Sequence, residues 1–352
     1  MSCLYLTSKW RLAVLSALLA SSATYAFAQG MTAPSGAPVG KDSIGDPGKP
    51  SLEPVHGLVA RADGSVPEDL IEIHLICGGV PRLIAIPDSK GRFDIVLAEL
   101  KGIPDPEMCV LRAFLDGYRS ETKPMAKVNL TAGAKLGRIV LQPSSSDSTG
   151  VASSTSAQVG KAGKKAYEQG LDDAARQYWK NALKSFQKAV SSDPGYSSAW
   201  LSLGILQQSS GDREGARKSF AESARADGKF ALPLIRMAVL DAARTDWEGT
   251  VDYSQKAIDL NPTAFPHAYE VNAIGNLYLL RTDAAQRSAA EGLKLDMEHR
   301  YPELEYALGT ILKLKNDREG AARHFQAYVA EAPSAAHVAS VKTELAHLQA
   351  TR

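Results

Sequence analysis

"ALKSFQKAVSSDPGY" (Ala182–Tyr196) contains the skeleton Ala-x3-Phe-x2-Ala-x4-Pro, carried by Ala182, Phe186, Ala189 and Pro194. Apolar residues four and three positions apart share one face of a helix. A proline shortly afterwards stops that helix, because it has no N–H with which to continue the hydrogen-bond ladder. The skeleton recurs 34 residues on, with Ala216 and Phe220 in the places of Ala182 and Phe186. A fixed period of this length is the mark of a repeated helical unit, in which each copy buries its apolar face against the next.

Upstream of the second copy stand Trp200, Leu203 and Gly204, spaced Trp-x2-Leu-Gly. With them the pattern resembles the tetratricopeptide repeat family, whose fold is an all-α solenoid of antiparallel helix pairs. Alignment on these positions gives five units starting near Gly163, Ser197, Ala231, Pro266 and Pro302. The first carries Gly170, Ala182, Phe186, Ala189 and Pro194; the fifth carries Leu308, Gly309, Ala321, Phe325 and Pro333. The third and fourth are degenerate, and two single-residue insertions are needed, near "AFPHAY" and near "EHRYP". The final stretch, His337–Ala350, is expected to form a capping helix over the last apolar face. Trp179 and Trp247, at the start of the second helix of their units, are expected to pack rather than to stack on a ligand.

Ahead of the repeats the periodicity changes from helical to alternating. In "LIEIHLIC" (Leu70–Cys77), Ile71, Ile73, Leu75 and Cys77 share one face and Glu72 and His74 the other. Similar short strands are expected at Val55–Ala60, at Phe93–Leu97, around Leu111 and Ala113, and at Leu136–Gln142. Short strands separated by turns point to a small all-β sandwich over 51–143. Gly57/Val59, Asp63-Gly64/Pro67, Asp88/Gly91/Phe93 and Gly117-Tyr118 occur in the order found in the carboxypeptidase regulatory-like family, which this segment resembles. That resemblance implies a transthyretin-like sandwich acting as an accessory module without catalysis of its own.

The flanks are compositionally distinct. Lys9 and Arg11, the apolar Leu12–Ala20 and the small-x-small Ala26-Phe27-Ala28 form a secretory signal, with cleavage expected before Gln29. The apolar run is shorter than a spanning helix requires, so no integral membrane segment is expected after cleavage. Residues 29–50 are rich in Gly and Pro and are expected to be a flexible leader; 144–160 have the Ser-rich composition of a linker. The expected location is therefore outside the cytoplasm, periplasmic or secreted. Cys3 leaves with the signal, and an oxidising compartment favours a disulfide between Cys77 and Cys109, against two buried thiols.

Formal net charge is +1, which argues against nucleic acid as a partner. The seven histidines make no metal spacing, and neither H-E-x-x-H, G-x-S-x-G nor a Gly-rich phosphate loop is present. "SFQK" (Ser185–Lys188) matches Ser-x-x-Lys, but it sits beside the structural Phe186 without the companion motifs and is read as chance. Asn129 is formally a glycosylation acceptor. No cofactor and no enzymatic activity are expected.

What remains is a stripe beside the packing positions, at the fifth and ninth places of the first helix of each unit. It reads Tyr167 and Leu171, Leu201 and Ile205, Ile235 and Val239, Glu270 and Ile274, then Tyr306. In the family this chain resembles, that stripe lines a partner-binding concave surface; the Lys and Asn residues of the clamp for acidic C-terminal tails are replaced by Tyr167 and Leu171. Two readings stay open: a groove for an apolar protein or peptide segment, or contact between adjacent helices. The expected function is an exported, non-catalytic scaffold that binds a protein partner. The alternative is attachment to a cell-wall polymer or polysaccharide through the sandwich, for which Phe93, Phe114 and Tyr118 are the available aromatics.

Overall fold

The structure, a computed structural model, describes residues 54–95, 108–127 and 135–350. The expected signal, the leader, Cys3, Leu97 and Asn129 lie outside the described residues. Among those residues, eight strands in two sheets are followed by eleven α-helices arranged as tetratricopeptide-type hairpins. The chain divides into two compact units. One holds the strands with Thr155–Ser219, and the other holds Ser144–Ser154 with Phe220–Arg352.

The strands are β1 (Val55–Arg61), β2 (Glu72–Cys77), β3 (Val80–Ala85), β4 (Arg92–Ile95), β5 (Val110–Phe114), β6 (Tyr118–Ser120), β7 (Lys123–Pro124) and β8 (Lys135–Pro143). One sheet has the order β4-β1-β8-β6 and the other β3-β2-β5-β7; β1 and β8 run parallel, and the remaining pairs are antiparallel. Alternation fills the core as the sequence pattern predicts: Ile73, Leu75, Phe93, Ile95, Leu111, Ala113, Ile139 and Leu141 are buried. The Asp88–Gly91 turn is closed by Asp88, whose Oδ1 accepts from the Lys90 and Arg92 amides. Gly91 sits at φ +75°, where a Cβ would lie 2.2 Å from the Val59 carbonyl oxygen, so that turn admits only glycine. Cys77 at the end of β2 is bonded to Cys109 just ahead of β5. The bridge closes a separation of 32 residues, which is expected to contribute about 3–4 kcal/mol through the unfolded state.

The helices are α1 (Lys161–Ala175), α2 (Trp179–Ser192), α3 (Ser197–Ser209), α4 (Arg213–Ala226), α5 (Leu232–Ala243), α6 (Trp247–Leu260), α7 (Pro266–Tyr278), α8 (Thr282–Leu295), α9 (Glu303–Leu314), α10 (Arg318–Glu331) and α11 (Val338–Ala350). The five predicted units are these helices taken in pairs, with α11 as the cap. Each pair is joined by one and the same turn. The amides of Tyr178, Asp212, Asp246, Arg281 and Asp317 donate to the carbonyls of Asp173, Gln207, Asp241, Asn276 and Leu312, respectively. The residue before each donor is left-handed: Gln177, Gly211, Thr245, Leu280 and Asn316. That is the Schellman closure of a helix C-terminus. In three pairs the donor then caps the next helix. Asp212, Asp246 and Asp317 accept from the amides of Gly215, Gly249 and Gly320.

Packing within a pair explains the small residue at the eighth place. A Cβ on Gly170 would lie 2.4 Å from the Phe186 ring, and one on Gly309 would lie 2.5 Å from the Phe325 ring. The first and fifth units therefore repeat one contact, with the glycine giving the ring its room.

Candidate partner-binding face

The stripe divides by position. At the fifth place, Tyr167, Leu201, Ile235 and Glu270 are buried. At the ninth, Ile205, Val239 and Ile274 are half-buried, while Leu171 is buried. Tyr306 is half-buried under aromatic neighbours: Phe325, Tyr328 and His337 approach it at 6.1, 5.4 and 4.6 Å between ring centroids. Glu270 on α7 lies 3.9 Å from His267 Nε2, and His267 stacks on Tyr301 at 5.1 Å. Trp247 lies flat on Tyr278 with centroids 3.8 Å apart, and Trp179 packs against the apolar cluster of the first pair, so both are packing residues as expected.

Tyr167 and Leu171 have an unexpected cover. Leu70, in the segment ahead of β2, and Ile86, after β3, join the apolar cluster formed by Tyr167, Leu171, Phe186 and Tyr196. The Tyr167 hydroxyl donates to the Glu68 carbonyl and lies 3.1 Å from Ser202 Oγ on α3. Burial, with the nearby Asp69 carboxyl, raises the Tyr167 phenol well above its ordinary value, so it remains a donor. A second link runs from the Ser89 amide to Asp172 Oδ1 on α1 at 3.0 Å. In this unit the sandwich is seated on the first helix pair.

Two of the sandwich aromatics lie in its core, and Phe114 lies half-buried on the face of β5 opposite Leu111 and Ala113. Phe93 and Tyr118 are buried, and Phe114 stacks on His74 at 4.3 Å. The Tyr118 hydroxyl accepts from Arg61 Nε and Nη2 at 3.3 and 3.0 Å.

In the other unit, the Ser-rich segment is held in place. Asp227 Oδ2 accepts from the Ser154 amide at 2.6 Å and from the Ser153 and Ser154 hydroxyls at 3.1 and 2.9 Å. Asn261 Nδ2 donates to the Asp147 and Thr149 carbonyls, each at 2.9 Å, and the Ala231 amide donates to the Gly150 carbonyl. Burial pushes the Asp227 carboxyl up, but the hydrogen bonds from Ser154, Lys229 and Ser153 outweigh it and hold the group below its ordinary value.

Sequence reasoning missed two recurring positions that shape these units. Asp193, Asp227, Asn261 and Asp296 hold the turn after the second helix of the first four pairs through the Gly195, Lys229, Thr263 and Arg300 amides. Tyr196, Phe230, Phe265 and Tyr301 follow, all buried. Both recur in register with Ala182 and Phe186 and were legible as an extension of the repeat. Among the described residues, no group of three His, Cys, Asp or Glu is placed to hold a metal ion, and no helix is long and apolar enough to cross a membrane.

No protein-family model matches the chain, and no curated protein does. Solved structures match it over about half its length. PilF of Pseudomonas aeruginosa is 16% identical over 53% of this chain and 84% of its own, with a TM-score of 0.47. MamA (41-end) of Desulfovibrio magneticus RS-1 is 15% identical over 50% of this chain and 98% of its own, with a TM-score of 0.44. YrrB, a TPR protein with an unusual peptide-binding site, is 17% identical over 52% of this chain and 98% of its own, with a TM-score of 0.43. At these identities the similarity is one of fold alone.

Proposed function

We propose that this chain is an exported, non-catalytic scaffold that binds a protein or peptide partner through the first helices of its repeats. The observation that carries the reading is the half-burial of Ile205, Val239 and Ile274, one at the ninth place of each of three successive pairs. A branched aliphatic side chain with part of its surface in water is what an apolar partner segment can cover. The fifth-place residues of the same three pairs, Leu201, Ile235 and Glu270, are buried. Export rests on the N-terminal signal pattern and agrees with the Cys77–Cys109 disulfide.

The sandwich is an accessory module of the carboxypeptidase regulatory-like type on this reading. Its support is local: Asp88, Gly91 and Phe93 form a closed turn and core anchor, and Gly57 leaves room for the Phe93 ring, which a Cβ would meet at 2.1 Å. A photo-crosslinking residue introduced at Ile205, Val239 or Ile274 in the native cells tests the function. The same protein should be captured from all three sites and not from the exposed Lys184 on α2. Capture that is equal at Lys184, or absent from all three, contradicts the assignment.

A further inference from the structure

The seat of the sandwich on the first helix pair contains a carboxyl group in an unusual place. Asp69, in the segment ahead of β2, is 5% exposed, and its Oδ1 is buried with no hydrogen bond. Ser198 Oγ on α3 is near enough to act on it but is itself buried without a completed hydrogen bond. Next to it, Glu68 also buries Oε2 without a partner, while its backbone carbonyl takes the Tyr167 hydroxyl. An ionised carboxylate with one oxygen buried and unsatisfied is strongly disfavoured in such a place, whereas the protonated acid is tolerated.

We propose that this seat is a proton-operated latch, closed while Asp69 carries its proton and loosened when Asp69 ionises. The charged and titratable groups facing Asp69 are Glu68 on its own segment, Arg61 on β1, Tyr167 on α1 and Tyr196 in the α2–α3 turn. Burial raises the Asp69 carboxyl to about 7; the Ser198 hydroxyl and Arg61 pull it down and Glu68 pushes it up. Both tyrosines are raised and stay neutral, so Asp69 is the group that changes charge near neutrality.

The sign follows from linkage. A carboxyl raised in the closed state and ordinary in the open state makes closure most favourable at low pH. That advantage is lost progressively between the open-state value near 4 and about 7. From these two values the open-to-closed ratio grows about a hundredfold from pH 5 to pH 8. Opening uncovers Tyr167 and Leu171; that they would then meet a partner rests on the proposed function, but the latch does not.

Hydrogen exchange on the full chain, corrected for the intrinsic pH dependence of exchange, tests the latch. Protection of α1 around Tyr167–Asp172 and of the segment around Asp69 should fall at least tenfold from pH 5 to pH 8. The β2–β5 ladder and the α9–α10 pair should keep theirs. Asp69→Asn should abolish the difference, and Glu68→Gln should preserve it. Equal corrected protection of the wild-type seat at both pH values overturns the proposal, as does loss of the difference in Glu68→Gln alone. If Asp69→Asn does not fold, the wild-type and Glu68→Gln series still decide.

Discussion

Thr245 shows how strongly the repeat imposes its backbone on individual residues. It holds φ +60° in a turn where the equivalent residue of the preceding pair is Gly211 at φ +88°. The left-handed region costs an L-residue about 1–2 kcal/mol, more for a β-branched one, against about 0.5–1 kcal/mol of extra chain entropy for glycine. Thr245→Gly should therefore raise unfolding stability by about 0.5–1 kcal/mol in a denaturant titration. Gly170 is the reverse case. Its α-carbon faces the Phe186 ring, so Gly170→Ala should cost about 1–3 kcal/mol by overpacking, seen as a lower denaturation midpoint. Only one of the two was legible in the sequence. Gly170 stood out as a repeat position, while Thr245 carries no glycine signature and its conformation came only from the turn it shares with four others.

At the scale of elements, the helices were legible because one rule, apolar faces at a fixed period, acts on every unit. Even the degenerate third and fourth pairs keep the unit, although the turn after α8 holds two extra residues where the spacing predicted one. Left-handed turn residues at 177, 211, 245, 280 and 316 lie 34, 34, 35 and 36 apart. Strands were less legible. β3 carries Pro81 and lies at a sheet edge with most of its residues exposed or half-exposed, so it lacks the alternation that revealed β2. The Ser-rich segment has a linker composition, yet Asp227 and Asn261 give it donors and acceptors that composition does not record. Asp227→Ala should free Ser144–Ser154, measured as faster proteolytic cleavage there with the helices intact. The same release is expected in acid. A carboxyl held below its ordinary value stabilises the contact above that range, and the contribution is lost as pH falls through it.

For the molecule as a whole, the sequence left the stripe open between groove and core, and the structure gives its residues unequal burial. Tyr167, Leu201, Ile235 and Glu270 at the fifth place go to the interior with Leu171, while Ile205, Val239 and Ile274 at the ninth place and Tyr306 keep part of their surface. Periodicity could not make this separation, since the two positions differ by only about 40° around a helix. Nor could it foresee that the sandwich covers Tyr167 and Leu171, because a contact between a β segment and a helix far apart in sequence leaves no periodic trace. The central claim is that the half-buried aliphatic residues bind the partner. The most direct measurement is the affinity of the crosslinked partner, once purified, for the wild-type chain and for the Ile205→Asp/Ile274→Asp double variant, both confirmed as folded by circular dichroism. A carboxylate on each apolar contact should weaken binding by about a hundredfold or more. An unchanged dissociation constant would contradict the account.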